Sequence, residues 1–252
     1  MSQIALITGT TSGIGEATAE VLAKNGYDLI INGRRKEKLD ALKKKLEDAY
    51  NVKILTLPFD VRDNAAVKDA IENLPTEWRE IDVLVNNAGL GLGLGPINEG
   101  IVEDWDTMID TNVKGLLYVS HAVMPLMIAR RQGRIVNLGS IAGKDIYAGG
   151  NVYCMTKHAV DAITKSMRID LLPHNIRVTG IHPGMVDTEF LIIRFKGDSK
   201  KAAERIAGFT PLYAVDVAET ILFALTRPAH VTINELTVMP TAQADANNMV
   251  RK

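Results

Sequence analysis

The stretch TGTTSGIG, residues 8–15, decides the fold, because it follows a short apolar run and opens a predicted helix. Its glycines stand at positions 9, 13 and 15. Glycine lets the backbone turn sharply and approach a pyrophosphate, while the N-terminus of the next helix presents unpaired N–H groups and a partial positive charge. This combination indicates a site for the phosphates of a dinucleotide. On this stretch alone, a purely structural turn is the alternative.

Seven short apolar runs along the chain are typical of strands. Most are continuously apolar rather than alternating, and helix-length segments separate them, which indicates a parallel sheet covered on both faces. The sequence therefore predicts a Rossmann-type, doubly wound α/β fold with a seven-stranded parallel sheet and helices on both faces. The predicted strands begin at Ile4, Tyr27, Val52, Ile81, Arg134, Ile176 and Ile233.

Length and composition favour a single domain over residues 1–252. The chain has 252 residues, of which 46% are hydrophobic, and this is enough for one sizeable core. Two segments interrupt the alternation of strands and helices: the glycine-rich residues 89–96 and an excursion over residues 183–211. We expect the excursion to be a substrate loop. Residues 242–252 form a C-terminal tail, and the sequence leaves open whether it folds over a neighbouring subunit.

Two helices can be predicted in detail. Leu39, Leu42 and Leu46 recur at helical spacing, so we expect them on the buried face of one helix. Asp63 can cap a second helix that begins at Asn64.

Charge and cysteine content exclude several classes of function. The 29 Lys and Arg residues against 30 Asp and Glu give a net charge of −1, so no global field attracts nucleic acid or an anionic membrane. Cys154 is the single cysteine and no secretory signal opens the chain, so we expect a cytoplasmic protein. No apolar run reaches the roughly 18 residues of a membrane span. The 5 histidines lack ligand spacing, which predicts no metal site.

The end of the second predicted strand carries Gly33, Arg34 and Arg35. NAD-preferring proteins of this fold usually place an acid there, about 20 residues beyond the glycines, to bind the ribose hydroxyls. A carboxylate would repel the 2′-phosphate of NADP, whereas two guanidiniums can bind it through charge-assisted hydrogen bonds. The sequence therefore favours NADP. The alternative is the charged start of a surface helix, but cations at a helix N-terminus oppose its dipole.

Further motifs follow in order along the predicted strands and helices. Together with TGTTSGIG and Asn112, they resemble the short-chain dehydrogenase/reductase superfamily, and the resemblance covers residues 8–188. Each motif is weak alone, but their joint order is specific. They are NNAG (residues 86–89), LGS (138–140), YCMTK (153–157) and HPG (182–184).

Tyr153 and Lys157 lie four residues apart in a predicted helix and share one of its faces. Hydride exchange between a nicotinamide and an alcohol or ketone requires a group that takes or gives the hydroxyl proton. A tyrosine with an ordinary pKa of about 10 needs a nearby positive charge to favour the phenolate, and Lys157 supplies one. Ser140, at the carboxyl end of a strand, can hydrogen-bond the substrate oxygen. Taken singly, such a pair is more often a surface contact and such a serine a helix cap.

The resemblance implies a catalytic tetrad of Asn112, Ser140, Tyr153 and Lys157. It implies that Asn112 supports a water connecting Lys157 to solvent, and that Lys157 also contacts the nicotinamide ribose. It further implies a homotetramer, with the helices that carry Asn112 and Tyr153 at an interface.

Roles in cofactor binding also follow from the resemblance. Asp60 and Val61 are expected to flank the adenine, Asn87 and Gly89 to bind its ribose, and residues 183–188 to contact the carboxamide and phosphates. The full set of expected cofactor contacts is Gly9, Thr10, Thr11, Ser12, Gly13, Ile14, Gly15, Arg34, Arg35, Asp60, Val61, Asn87, Ala88, Gly89, Tyr153, Lys157, Pro183, Gly184, Val186 and Thr188.

Longer stretches are similar to a narrower group, the NADP-dependent 3-hydroxy acid dehydrogenases. This similarity spans nearly the whole chain and implies reversible oxidation of the 3-hydroxyl of serine, allo-threonine, 3-hydroxyisobutyrate or 3-hydroxypropionate. The stretches are LPTEWREIDVLVNNAGLGLG (74–93), EDWDTMIDTNVKGL (103–116), YAGGNVY (147–153), VDTEF (186–190), RFKGD (194–198) and AHVTINELTVMPTAQ (229–243).

A small acid requires a cation near its pocket, and Arg194 and Lys196 lie in the excursion. We expect Arg194 to bind the substrate carboxylate, with Ser140 and Tyr153 at the reacting hydroxyl. A solvated loop arginine is the alternative. Apolar residues that can equally serve a larger apolar substrate are Leu92, Leu94, Met185 and Phe190.

Two other functions stay open at this point. Another carbonyl reductase of the superfamily, acting on a 3-oxoacyl thioester, diketone, sugar or apolar ketone, would carry the same motifs. A non-catalytic NADP-binding protein belongs to a different class, since a fold does not fix a function. That class predicts a broken tetrad, whereas all four residues are present.

Overall fold

A parallel sheet of seven strands forms the centre of the protein, for which a computed structural model describes residues 2–252. The strands run in the order β3-β2-β1-β4-β5-β6-β9, and β7 pairs with β8 in a separate small sheet. This confirms the predicted doubly wound fold. The strands are β1 (Ile4–Ile7), β2 (Asp28–Asn32), β3 (Ile54–Leu57), β4 (Ile81–Asn86), β5 (Gly133–Leu138), β6 (Ile176–Pro183), β7 (Val186–Asp187), β8 (Leu212–Tyr213) and β9 (Glu235–Val238).

Helices cover both faces of the main sheet. Along the described residues 2–252, no helix combines the length and the apolar character needed to cross a membrane. The helices are α1 (Gly13–Lys24), α2 (Lys36–Ala49), α3 (Asn64–Glu72), α4 (Val102–Ile109), α5 (Leu116–Arg130), α6 (Asn151–Leu171), α7 (Glu189–Arg194), α8 (Ser199–Ile206) and α9 (Ala214–Leu225).

Two hydrophobic cores lie on opposite sides of the sheet, because successive side chains of a strand point to opposite faces. In β1, Ala5 and Ile7 join a core with α1, α2 and α9. Ile4 and Leu6 join the other core with α3, α5 and α6. Burial on both faces explains why the strand sequences are continuously apolar.

The detailed helix predictions are confirmed. Leu39, Leu42 and Leu46 are all buried on the inner face of α2. The Asp63 carboxylate accepts hydrogen bonds from the backbone N–H groups of Ala65 and Ala66 at 3.0 and 3.1 Å, so it caps α3. Two strand predictions began too early, since β3 starts two residues after Val52 and β9 two residues after Ile233.

The excursion over residues 183–211 is folded rather than a plain loop. It contains β7, α7 and α8, and β7 pairs in parallel with β8, which begins just beyond it. Thr188 caps α7 by accepting a hydrogen bond from Phe190 N at 3.3 Å, and Asp198 caps α8 by accepting one from Lys201 N at 3.0 Å. Local capping therefore fixes two short helices above the carboxyl ends of the strands.

The C-terminal tail folds back onto the excursion of its own chain. Lys252 N donates a hydrogen bond to Gly208 O at 2.8 Å, and Arg251 Nη2 donates to Arg205 O at 2.8 Å. Gln243 Oε1 accepts a hydrogen bond from Met185 N at 2.8 Å. The tail thus joins the end of α8 to the strand that precedes α7.

Candidate active site

The turn between β1 and α1 has the geometry of an anion site. Gly9 and Gly13 have φ values of 71° and 59°, which L-residues with side chains rarely adopt. Ser12 precedes α1 without a capping side-chain hydrogen bond, so the helix N-terminus is open to an external acceptor. The turn therefore combines a close backbone approach with uncapped donors and the positive end of a helix dipole.

Asn87 pins this turn to the end of β4. Its Nδ2 donates hydrogen bonds to the carbonyl oxygens of Thr8 and Gly9 at 2.8 and 3.1 Å. The N–H groups of Asn87 and Ala88 donate to Thr8 Oγ1 at 3.1 and 3.0 Å. A Cβ on Gly15 would overlap the Gly9 carbonyl, so glycine is required for α1 to start this close to the turn. The amide nitrogen of Asn87 is thus a fixed part of the turn.

Arg34 and Arg35 stand beside the same turn at the end of β2. Arg35 Nη2 donates a hydrogen bond to Thr11 Oγ1 at 2.8 Å and lies 3.8 Å from Glu189 Oε2. Arg34 Nη1 lies 3.9 Å from Asp60 Oδ2, and its side chain is 64% exposed. Exposed ion pairs this long contribute little to stability. Both guanidiniums therefore keep donors that a phosphate could take.

Asp60 follows β3 and is held by Arg62, a residue that the sequence motifs did not single out. Arg62 Nε and Nη2 donate to Asp60 Oδ2 at 3.0 and 2.7 Å. Burial raises the pKa of Asp60, but the Arg62 hydrogen bonds and the charge of Arg34 outweigh burial and leave that pKa below its usual value. Asp60 is therefore ionised at neutral pH. Its negative charge is balanced by Arg62, which reduces the repulsion of a bound phosphate by this carboxylate.

Ser140, Tyr153 and Lys157 meet where β5 ends and α6 begins. Ser140 Oγ accepts a hydrogen bond from Ala142 N at 3.1 Å, so this serine caps a short turn as well as facing the cavity. Lys157 is 6% exposed, and its Nζ donates to Leu138 O at 2.9 Å. Tyr153, one helical turn before Lys157, is also buried. The two elements therefore hold a hydroxyl, a phenol and an amine on one wall.

Burial changes the proton affinity of the Tyr153 and Lys157 pair. It lowers the pKa of Lys157 to about 8. It raises the pKa of Tyr153, against the opposing effects of the Ser140 hydroxyl and the charge of Arg194. Desolvation of the phenolate therefore outweighs the Ser140 hydroxyl and the Arg194 charge, and the expected effect of the Lys157 ammonium on the phenolate stays a prediction.

Arg194, the last residue of α7, brings a buried cation to the opposite wall. Its side chain is 4% exposed, and neither Nη1 nor Nη2 has a hydrogen-bond partner within residues 2–252. Its Cζ lies 4.7 Å from the ring centroid of Tyr153 and 5.9 Å from that of Tyr147. A guanidinium stays protonated in proteins, so this charge is partly stabilised by the aromatic faces but pairs with no anion in the described part of the chain.

A cavity of about 410 Å³ connects the turn, the arginines of β2 and the wall that carries Tyr153. Its size and its mixed apolar and polar lining are those of a small-molecule site. The expected site residues that line it are Gly9, Thr11, Ser12, Gly13, Ile14, Arg34, Arg35, Asp60, Val61, Asn87, Ala88, Gly89, Ser140, Tyr153, Lys157, Pro183, Gly184, Val186, Thr188 and Arg194.

Comparison with known proteins agrees with this architecture. The model of the short chain dehydrogenase family matches residues 3–197, which is more than half of the chain. The chain belongs to the short chain dehydrogenase family. As a short chain dehydrogenase it is 47% identical over 250 residues to the NADP-dependent 3-hydroxy acid dehydrogenase of Salmonella typhi, covering 99% of both chains.

Two further relatives show which short chain dehydrogenases this chain resembles. Sulfoacetaldehyde reductase 2 of Chromohalobacter salexigens is 47% identical over 245 residues, covering 97% of this chain and 96% of that protein. The closed form of serine dehydrogenase complexed with NADP+ is 46% identical, with a TM-score of 0.92 over 99% of this chain and 100% of the other. The chain is thus similar along its full length to proteins named for small polar substrates.

Three residues expected at the site of this short chain dehydrogenase do not line the cavity. Thr10 is fully buried, and its hydroxyl donates to Asn32 O at 3.1 Å. Gly15 packs against the turn as described above. Asn112 lies in a π-helical turn between α4 and α5, and its Nδ2 donates to Leu90 O and Thr156 Oγ1 at 2.7 and 3.0 Å. All three support the cavity wall instead of facing its interior.

The second cation expected in the excursion lies outside the cavity lining. Lys196 Nζ is 2.7 Å from Asp104 Oδ2, and this carboxylate holds it on the surface. Arg205, which the sequence motifs did not reveal, lines the cavity from α8, and Tyr147 lines it from the loop before α6. Ala246 and Met249 line it from the tail. These contacts join segments far apart in the chain, so residue spacing carried no signal for them.

Asp161, His182 and Glu235 form a cluster near the site that histidine spacing did not reveal. One ligand atom of each lies within 4.8 Å of the others. Lys144 Nζ donates to Asp161 and Glu235 at 2.8 and 2.6 Å, and Lys165 Nζ donates to Asp161 at 2.6 Å, so ammonium groups already balance the two carboxylates. Burial and the charge of Lys144 lower the pKa of His182 to about 4. The parallel pairing of β6 with β9 brings His182 and Glu235 together. The Lys144 ammonium bonds the same carboxylates that a metal ion would use.

Proposed function

We propose that this protein oxidises the 3-hydroxyl of small 3-hydroxy acids reversibly, with NADP as the hydride acceptor. Serine, allo-threonine, 3-hydroxyisobutyrate and 3-hydroxypropionate are the substrate types. The observation that carries the proposal is Arg194, a buried guanidinium that faces Tyr153 and whose Nη atoms lack a partner within residues 2–252. A short hydroxy acid supplies that anion with its carboxylate while its hydroxyl reaches Tyr153.

The cofactor assignment rests on the fit of the turn and of the arginines beside it. A Cβ on Gly9 would meet the Ala88 Cα at 2.9 Å, so the turn between β1 and α1 has bare backbone at this position. A ligand can therefore contact that backbone directly. Arg34 and Arg35 offer two cations where an NAD site would offer an acid. The 3-hydroxy acid dehydrogenase relative is named for NADP, and the serine dehydrogenase structure contains NADP+.

We assign the proton transfer to Tyr153. Its phenolate oxygen takes the hydroxyl proton during oxidation, and the neutral phenol returns that proton to the developing alkoxide during reduction, while Ser140 hydrogen-bonds the reacting oxygen. Lys157 passes the proton onward and binds the nicotinamide ribose, and Asn112 fixes the loop and helix around it. NADP accepts the hydride when bound. A pKa of about 8 suits Lys157 to carry a proton in either direction near neutral pH.

We also propose that the protein acts in the cytoplasm as a homotetramer. The support for assembly is a set of exposed apolar side chains on α5 and α6, which carry Leu117, Met155 and Ile169 at 40%, 48% and 73% exposure. The single cysteine is buried beside Tyr153 and needs no oxidising compartment. Sedimentation of the protein at several concentrations tests this assembly, and a monomer throughout would refute it.

A second candidate function is the reduction of a short aldehyde that carries a sulfonate. Arg194 would recognise the oxyanion by charge and hydrogen bonding, and a sulfonate, like a carboxylate, presents anionic oxygens that accept from a guanidinium. The 47% identity to sulfoacetaldehyde reductase 2 gives this candidate its specific support. The two functions place the same side chains in the same roles and differ only in the anion.

Initial rates with NADP+ and NAD+ test the proposal. The panel comprises L-serine, D-serine, L-allo-threonine, 3-hydroxyisobutyrate, 3-hydroxypropionate, 2-hydroxyethanesulfonate and an apolar secondary alcohol. We expect the highest kcat/KM with NADP+ and a 3-hydroxy acid. Preference for the hydroxysulfonate selects the second candidate, and activity confined to the apolar alcohol overturns both in favour of another carbonyl reductase.

A further inference from the structure

Arg194 contacts the face of Tyr153, the residue assigned to proton transfer. The guanidinium Cζ is 4.7 Å from the ring centroid, within the range of a cation–π interaction. Gly91 packs against the same guanidinium, since a Cβ there would meet Arg194 Nη1 at 2.5 Å. The charge is therefore held between the phenol ring and Gly91, and no carboxylate of residues 2–252 bonds to its Nη atoms.

Two opposing effects act on the Tyr153 hydroxyl. Burial disfavours the phenolate and raises its pKa, and the Arg194 charge favours the phenolate and lowers the pKa. Lys157 is bonded to Leu138 O through its Nζ. Arg194 is the cation whose charge lowers the pKa of Tyr153, so a group that neutralises Arg194 changes the balance.

We propose that Arg194 couples the charge of the substrate to the proton affinity of Tyr153. This rests on the proposed function, because it takes an anionic group of the substrate as the partner of Arg194. An arriving carboxylate neutralises the guanidinium, and Tyr153 then binds its proton more tightly. During oxidation the phenolate becomes a stronger base only when an anionic substrate is present. An uncharged alcohol of the same size leaves Tyr153 unchanged.

Other titratable groups around Tyr153 must be separated from this effect. Its own helix carries Cys154 and Lys157, and the preceding loop carries Tyr147, whose pKa burial raises. Cys154 also has a raised pKa because of burial, so it is neutral near pH 7. On the strand side, His182 lies against Gly139 and is neutral with a pKa of about 4. Of these groups only Lys157 and Arg194 carry positive charge near neutral pH, and Arg205 of α8, which also lines the cavity, acts on Tyr147.

Titration of Tyr153 by NMR tests the proposal without turnover. The protein carries tyrosine labelled with ¹³C at Cζ, is saturated with NADP+, and is compared with the Tyr153→Phe variant to assign the signal. In Arg194→Met we expect the titration midpoint of Tyr153 at higher pH than in the wild type. Arg194→Lys keeps the positive charge, so its Tyr153 midpoint should lie close to that of the wild type. Lys196→Met, two residues away and held by Asp104, is the matched control and should leave the midpoint unchanged.

Saturating propionate, an acid without the reacting hydroxyl, tests the coupling itself. It should raise the Tyr153 midpoint in the wild type and leave Arg194→Met unchanged. Equal midpoints in wild type and Arg194→Met overturn the effect of Arg194 on Tyr153. If the Tyr153 midpoint is higher in Arg194→Met but propionate leaves the wild-type midpoint unchanged, the coupling to substrate charge is overturned. The substrate panel tests the proposed function separately, because it measures reaction rates, whereas the titration measures the protonation of Tyr153.

Discussion

Two buried cations face one cavity from opposite walls, and the structure holds them differently. Lys157 stands on α6, next to the carboxyl end of β5, and its Nζ has a carbonyl partner at 2.9 Å. Arg194 stands on α7 in the excursion, and neither Nη atom has a partner within residues 2–252. Burial lowers the pKa of Lys157 to about 8. The lysine can therefore lose its charge, whereas the arginine cannot.

This difference separates two tasks of the site. A buried amine that titrates near neutral pH can pass protons between a phenol and solvent. A guanidinium keeps its charge and presents a planar fork of donors, so it suits recognition of an oxyanion. The region around α6 thus suits the proton transfer proposed for it, and the excursion suits recognition of the substrate's charge.

The largest effect is expected on the α6 side. Tyr153→Phe removes only the hydroxyl that transfers the proton, so we expect kcat to fall about 10³-fold or more. Binding of NADPH, measured by its fluorescence, should stay within about twofold of the wild type. A variant that keeps its turnover would refute the assignment of Tyr153.

Lys157 makes a prediction about stability. Its pKa is about 8 in the folded chain against an ordinary value of 10.5, so between these values the unfolded chain binds more protons. Stability of the wild type therefore rises with pH through this window, and below it the buried charge costs about 3 kcal/mol. Relative to the wild type, Lys157→Met should be most favoured below pH 8 and lose this advantage by pH 10.5. Urea unfolding at several pH values measures the difference, and parallel curves would contradict the prediction.

Arg194→Met should act on binding of the acid and little on the cofactor. Loss of charge-assisted hydrogen bonds to a carboxylate raises KM for a 3-hydroxy acid about 10- to 100-fold. The KM for NADP+ and for an uncharged alcohol should stay near the wild-type values. Lys196→Met provides the matched control, because that lysine pairs with Asp104 outside the cavity lining. An equal rise of KM for acid and alcohol would return Arg194 to a structural role.

The smallest effect is expected at the exposed arginines of β2. Arg34→Asp combined with Arg35→Ser removes two cations and adds a charge that repels the 2′-phosphate, so KM for NADP+ should rise about tenfold or more. The KM for NAD+, measured on the same preparation, should change far less. An equal change for both cofactors would mean that these arginines serve only the solvated surface.

Much of the fold could be predicted because its signals are local. The apolar runs of β1 and β4 and the helical spacing of Leu39, Leu42 and Leu46 each require only neighbouring residues. The glycines of the turn and the Tyr153–Lys157 pair are local in the same sense, and the order of motifs linked them into one site.

What escaped prediction depends on contacts across long chain separations. Arg194 reaches the face of Tyr153 only because α7 folds over α6. The cluster of His182 with Glu235 needs β9 beside β6. The raised pKa of Tyr153 also depends on burial, and residue spacing cannot report desolvation.

The position of β1 inside the sheet has a consequence for assembly during synthesis. The turn after β1 emerges among the first residues, but its hydrogen bonds to Asn87, 79 residues beyond Thr8, need β4. The outer neighbour of β6 arrives later still, with β9. Contacts between such distant segments form slowly, since each must close a long loop. In a growing chain the turn therefore lacks its hydrogen bonds to Asn87 until β4 joins the sheet. Only then is the wall of the cavity that follows β4 in place.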